Sequence, residues 1–147
     1  MHTPLTAPHP FGSDITVDTL NATFTTLRQW EDRYRQLILL GKKLPPLPEA
    51  LKTDDIALSG CENRVWLGHQ QRDDGRLHFF GDSEGRIVRG LLAVILTAVE
   101  DKTPAELLQS DPLQLLEQLG LKDQLSASRG AGMQSLADAV LRAAREA

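Results

Sequence analysis

Cys61 is the only cysteine among 147 residues, and it sits in the run Gly60-Cys61-Glu62-Asn63-Arg64-Val65-Trp66. A lone thiol makes neither an internal disulfide nor a paired-cysteine metal site. It serves as a buried apolar filler or as a nucleophile. The neighbours favour the second role. Gly60 permits backbone shapes that other residues resist, and Glu62, Asn63 and Arg64 keep the segment hydrated before Val65 turns apolar. The thiolate is the attacking species, and a free thiol titrates near about 8.5. Arg64 favours the thiolate and Glu62 opposes it, so the sequence does not fix the direction of the shift. A redox protein usually carries its own resolving cysteine; here there is none. A group taken onto Cys61 must therefore leave to another protein or a small molecule, which is the chemistry of a carrier.

Other chemistry is thinner. A cysteine hydrolase or acyltransferase, the competing reading, needs a histidine base within hydrogen-bond reach of the thiol. The four histidines are His2 and His9 near the N-terminus and His69 and His78 in a strand-like region. Their spacing with one cysteine matches no usual metal-ligand pattern, so no metal and no cofactor are expected. Gly81-Asp82-Ser83-Glu84-Gly85 precedes a helix-like run but lacks the Gly-Lys-Ser/Thr ending of a phosphate loop. Trp30 and Trp66 read first as packing residues. Trp66 alternates with Val65, so one of the two should face away from the core.

The formal net charge is −4, and it is spread evenly. Residues 1–60 and 61–102 each carry six basic and seven acidic groups, and residues 103–147 carry four and six. With no basic block, a nucleic-acid partner is disfavoured. The longest apolar run, Leu91 to Val99, is too short to span a bilayer, and no secretory signal pattern opens the chain. A single unpaired cysteine suits a reducing compartment, so the expected location is cytoplasmic.

The elements that must position Cys61 follow from periodicity. Residues 1–14, with three prolines and Gly12, read as a flexible arm. Leu20, Phe24, Leu27, Trp30, Tyr34, Leu37 and Ile38 recur at helical steps, predicting one helix that Thr16 or Asp18 caps and Gly41 ends. Leu44-Pro45-Pro46-Leu47-Pro48 is an extended connector, followed by a short helix around 49–52. Residues 64–71 and 76–80 read as paired strands, with Asp74-Gly75 as a two-residue type I′ turn. Residues 56–59 add a third strand, which puts Cys61 in a turn at the sheet's end. Asp82 or Ser83 should cap a buried central helix over 84–100, in which Gly90 implies a close neighbour. Thr103-Pro104-Ala105-Glu106 is a capping box, Asp111-Pro112 opens a short helix that Gly120 closes, and Met133 to Ala144 form the apolar face of a last helix. The fold class is α+β: a small antiparallel sheet of about three strands with helices packed on one face.

Three ordered blocks carry a resemblance. They are Gly60 to Trp66, Asp82-Ser83-Glu84-Gly85-Arg86-Ile87-Val88-Arg89-Gly90-Leu91, and Leu119-Gly120-Leu121 with Leu125-Ser126-Ala127-Ser128-Arg129. Together they resemble the SufE-type sulfur acceptors, most closely the CsdE branch, with which Asn63 agrees. The resemblance implies a single domain over 15–147 behind the arm, with the fold of the iron–sulfur scaffold proteins but without their ligand set. It implies a protein, not itself an enzyme, that binds a pyridoxal-phosphate cysteine desulfurase and raises its turnover. Such a protein accepts sulfane sulfur as a persulfide on Cys61 and passes it to a downstream sulfur-accepting protein, toward iron–sulfur cluster assembly or another sulfur-using pathway. Gly60, Glu62, Asn63, Arg64 and Trp66 are the expected docking rim. Cys61 is expected to lie shielded in the free protein and to extend when docked.

Overall fold

The computed structural model describes residues 5–58, 64–121 and 127–147, the side chains of 127–131 aside. The helices are α1 (Val17–Thr25), α2 (Trp30–Lys43), α3 (Arg86–Val99), α4 (Pro104–Leu108), α5 (Gln114–Gln118) and α6 (Ala127–Glu146), with a 3-10 turn at Glu49–Leu51. Strands β1 (Ala57–Leu58), β2 (Val65–Gln71) and β3 (Leu77–Ser83) form one antiparallel sheet in that order.

The expected first helix is two. Thr16 caps α1 through its side chain, as the sequence implies. The helix then stops in a threonine-rich stretch, where the Thr23, Thr25 and Thr26 hydroxyls each donate back to a carbonyl one turn earlier. Such bonds compete with the helical ladder. Gly41 does not end α2, which runs on to Lys43. Gly41 is there because α2 presses on α3. At Gly90, on the other side of that contact, a Cβ would lie 2.2 Å from the Leu37 carbonyl oxygen. The close approach expected at Gly90 is therefore real.

The hairpin keeps its position but changes its turn. Only Gly75 has positive φ, at +91°, and its N–H donates to the Arg72 carbonyl. Arg72 N–H in turn donates to the Arg76 carbonyl at 2.7 Å. This is a three-residue loop with glycine at the left-handed position. β3 also runs three residues past Phe80. Asp82 and Ser83 thus belong to a strand, and Gly85 becomes the N-cap of α3.

Alternation decides what each face of the sheet touches. Val65, Leu67, Leu77 and Phe79 join the main core with Leu91, Leu92 and Ile95 of α3. Trp66 and Phe80 point the other way, into a small cluster with Leu47, against which Ala7, Leu51 and Ile56 pack. All seven residues of β3 are buried, so both faces are covered. Helices cover one face; the proline connector and the N-terminal arm cover the other. Residues 5–14, expected within a flexible arm, are seated through Phe11, which is 1% exposed, and His9. Proline and glycine made the segment read as loose, but one buried aromatic and one imidazole anchor it.

Candidate functional site

Leu58 pairs with Val65 across β1 and β2, so the chain between them leaves and re-enters the sheet at one end. Gly60, Cys61, Glu62 and Asn63 lie outside the described residues, as does the expected shielding of the thiol. What the structure describes is the end of the sheet that flanks them in the chain.

Arg64 forms its near side. The Arg64 carbonyl accepts from the Ser83 hydroxyl at 2.9 Å and from the Glu84 N–H at 3.1 Å. Its guanidinium is exposed, pairs with Glu84 at 3.4 Å and lies 5.0 Å from the Trp66 ring centre. Lys52 Nζ approaches the same ring at 4.8 Å. Trp66 itself is 3% exposed. The indole is support, held under two cations whose attraction to an aromatic face is electrostatic. Val65 and Trp66 do face opposite ways, but the second face is covered too.

One further residue pair was not legible as a site. Asp82 is 3% exposed and accepts from Leu47 N–H at 3.0 Å and Ser83 N–H at 2.7 Å. It also pairs with Arg89 and, at 3.7 Å, with Lys52. Arg89 spends its other donors on the Gly41 and Leu44 carbonyls, at 3.2 Å and 2.5 Å from Nη2. This node ties the end of α2, the connector, β3 and α3 together directly beneath Trp66, Asp82's partner across the sheet. A carboxylate buried in Gly81–Gly85 also makes that segment a poor phosphate cradle.

The histidines are placed elsewhere. His69 is exposed on β2. His9 and His78 stack with ring centres 5.3 Å apart and, with Glu100, form the only His/Cys/Asp/Glu cluster of metal-binding size among the described residues. It does not fit a metal. His9 Nδ1 accepts from Phe11 N–H at 3.1 Å, so the proton sits on Nε2, which donates to the Phe79 carbonyl at 2.7 Å. An Nε2 metal ligand needs the opposite tautomer. Burial, opposed by the Phe79 carbonyl and Glu100, holds the His9 pKa below its usual value, which agrees with a neutral ring. Burial alone pushes the Glu100 carboxyl up, but hydrogen bonds from His78 and the Phe79 N–H outweigh it and hold the group below the usual range. Arg72 sits on the same carboxylate at 2.7 Å.

The SufE family, described as an Fe-S metabolism associated domain, matches residues 18–144. The chain belongs to the SufE family. Within that family it is 58% identical over 146 residues to the sulfur acceptor protein CsdE of Escherichia coli K12, covering 99% of each chain. An uncharacterized SufE-like protein of Rhizobium meliloti is 39% identical over 123 residues, covering 82% of this chain and 88% of that one. The fold is shared more widely than the sequence. A hypothetical protein from Thermus thermophilus, solved in solution, superposes with a TM-score of 0.69 at 16% identity, covering 90% of this chain and 95% of the other. The α+β class and the SufE-type fold expected from sequence are thus both found. No described helix is long and apolar enough to cross a membrane.

Proposed function

We propose that this SufE-family chain is a sulfur acceptor that docks on a pyridoxal-phosphate cysteine desulfurase and carries sulfane sulfur on Cys61. The observation that carries the reading is the full-length 58% identity to a sulfur acceptor protein. The sole thiol of the chain supports it chemically. The Cys61 thiolate attacks the outer sulfur of the desulfurase's cysteine persulfide. A new S–S bond forms to Cys61, the old S–S bond breaks, and the desulfurase cysteine leaves as its thiolate. No oxidant is consumed. The sulfur then moves by the same displacement to a downstream acceptor protein, toward iron–sulfur cluster assembly or another sulfur-using pathway, in the cytoplasm. Gly60, Glu62, Asn63 and the exposed Arg64 form the docking rim, with Trp66 beneath. The chain acts as acceptor and activator; the desulfurase performs the catalysis.

A hydrolase needs a base, and two of the described histidines, His9 and His78, have their ring nitrogens committed to Phe79, Phe11, Glu100 and Thr6. Incubation with the cognate desulfurase and cysteine should add reductant-labile sulfur at Cys61, read by intact mass and peptide mapping. Cys61→Ser should abolish both the label and the stimulation of turnover, because a hydroxyl is a far poorer nucleophile at neutral pH. Sulfur on another residue, or full stimulation by Cys61→Ser, would sink the carrier reading.

A further inference from the structure

A hollow of about 180 Å³ opens where the end of α1, the start of α2 and the end of α5 meet. Phe24, Leu27 and Leu119 line it with apolar surface, and Arg28, Arg33 and Gln118 add polar groups. Arg33 is held in one position. Its guanidinium carbon lies 5.8 Å from the centre of the Trp30 ring, one turn back on α2. Nε donates to the Leu27 carbonyl at 3.0 Å and Nη1 to the Gly120 carbonyl at 3.3 Å. Gly120 takes φ +73°, and a Cβ there would come within 3.1 Å of Nη1, so the glycine both turns the chain and leaves room for the guanidinium. Nη2 donates to none of the described residues.

The charge at this hollow has no counterpart. Two carbonyls and an aromatic face offer Arg33 partial charges but no formal negative one. Asp32, on the same turn of α2, pairs with Arg35 at 3.7 Å. The Arg28 side chain is exposed and has no hydrogen bond or ion pair among the described residues, and the Gln118 amide has none either. A second hollow of about 150 Å³ beside α4 shows the contrast: Asp111 lines it, with no cation.

We infer that the hollow between α1, α2 and α5 is a binding site for a small organic carboxylate, its charged end on Arg28 and Arg33 and its apolar stem against Phe24, Leu27 and Leu119. A guanidinium with free N–H groups is a directional partner for a carboxylate. The apolar lining favours a ligand with a hydrocarbon part over a bare, strongly hydrated anion. Size sets the upper limit. Pockets for drug-sized ligands start at about 300 Å³, so nucleotides and large cofactors do not fit.

The test titrates the full chain, labelled with nitrogen-15, with sodium butyrate at constant ionic strength. The expected result is saturable shifts of the Leu27, Arg28, Arg33 and Gly120 amides at millimolar butyrate, with Ala98 and Leu107 of the second hollow unmoved. Acetate lacks two methylenes and should bind about tenfold more weakly. Butyramide keeps the stem but not the charge, and should also bind about tenfold more weakly. Arg28→Gln, at an exposed position, should weaken butyrate by about threefold or more while leaving the rest of the amide spectrum in place. Butyramide binding as tightly as butyrate would reduce the site to an apolar crevice, and acetate or inorganic phosphate binding as tightly would remove the role of the stem. Either result overturns the proposal. So do shifts that fail to saturate, equal shifts at both hollows, or unchanged butyrate affinity in Arg28→Gln.

Discussion

The two faces of the small sheet are closed by different means. The inner face meets α3, where Leu91, Leu92, Ala93, Val94, Ile95 and Leu96 are all inaccessible to solvent. Apolar burial there is spread over many side chains, each exchangeable for another of similar volume. The outer face meets chain without regular structure, the proline connector and the N-terminal arm. Its apolar cluster has three buried members, and the rest of the cover hangs on polar groups: Asp82 with Arg89 at one end, His78 with Glu100 at the other. Coil cannot satisfy its own backbone groups, so side chains must do it. Arg89 caps the Gly41 and Leu44 carbonyls, Asp82 takes the Leu47 N–H, and His78 takes the Thr6 carbonyl. The lesson is one of fragility. A face closed by a helix degrades gradually, while a face closed by coil depends on single ions.

The sharpest way to break this comparison is Arg89→Met. It keeps the volume but leaves Asp82 charged and buried, which should cost about 3–5 kcal/mol. Urea unfolding measures it, and adding Asp82→Asn should restore part of the loss. If Arg89→Met is nearly neutral, the outer face does not hang on its ions. Leu92→Ala is the matching test within the helical face. A buried leucine truncated to alanine should cost about 2–5 kcal/mol with no change in the pH dependence of stability.

Glu100→Gln comes next, at about 1–3 kcal/mol near neutral pH, since a charged acceptor of buried hydrogen bonds is replaced by a neutral one. Its signature is pH. The folded protein holds this carboxyl below its unfolded value, so Glu100 stabilises above the ordinary carboxylate range, and that stability is lost as pH falls through the lowered value. Acid unfolding of Glu100→Gln should therefore start from a lower stability but show a shallower slope than wild type. The smallest effect belongs to neither face. Thr103→Ala removes the cap of α4 and should cost about 1 kcal/mol by thermal melting, while leaving the arm's amide protection unchanged.

The local rules carried far along this chain. The Thr16 cap, the Thr103 box, the buried α3 and the contact at Gly90 all rest on short-range geometry or a strong 3.6-residue period, and such signals survive without tertiary context. The break between α1 and α2 is not legible in the sequence because the apolar spacing runs straight through it, from Phe24 to Leu27 to Trp30. The threonine hydroxyls that interrupt the ladder act on the backbone and leave no mark on that pattern. Asp82 read as a helix cap because aspartate before an apolar run usually is one. Only the strand pairing of Trp66 with Asp82 shows that the sheet extends beneath it.

The sequence by itself determined the chemistry on offer: one thiol with no second cysteine to resolve it, in a polar run of residues, on an α+β scaffold. It did so because thiol count and apolar period are properties of the chain, independent of what folds onto what. Tertiary structure alone decided that Trp66 is buried with Leu47 and Phe80, that Asp82 and Arg89 anchor the connector, and that His9 and His78 meet Glu100. The contacts that matter span long stretches of chain: Leu47 and Asp82 lie 35 positions apart, and Thr6 and His78 lie 72 apart. A buried ion is tolerated only where distant segments bring its partner, and nothing local in a sequence records that meeting.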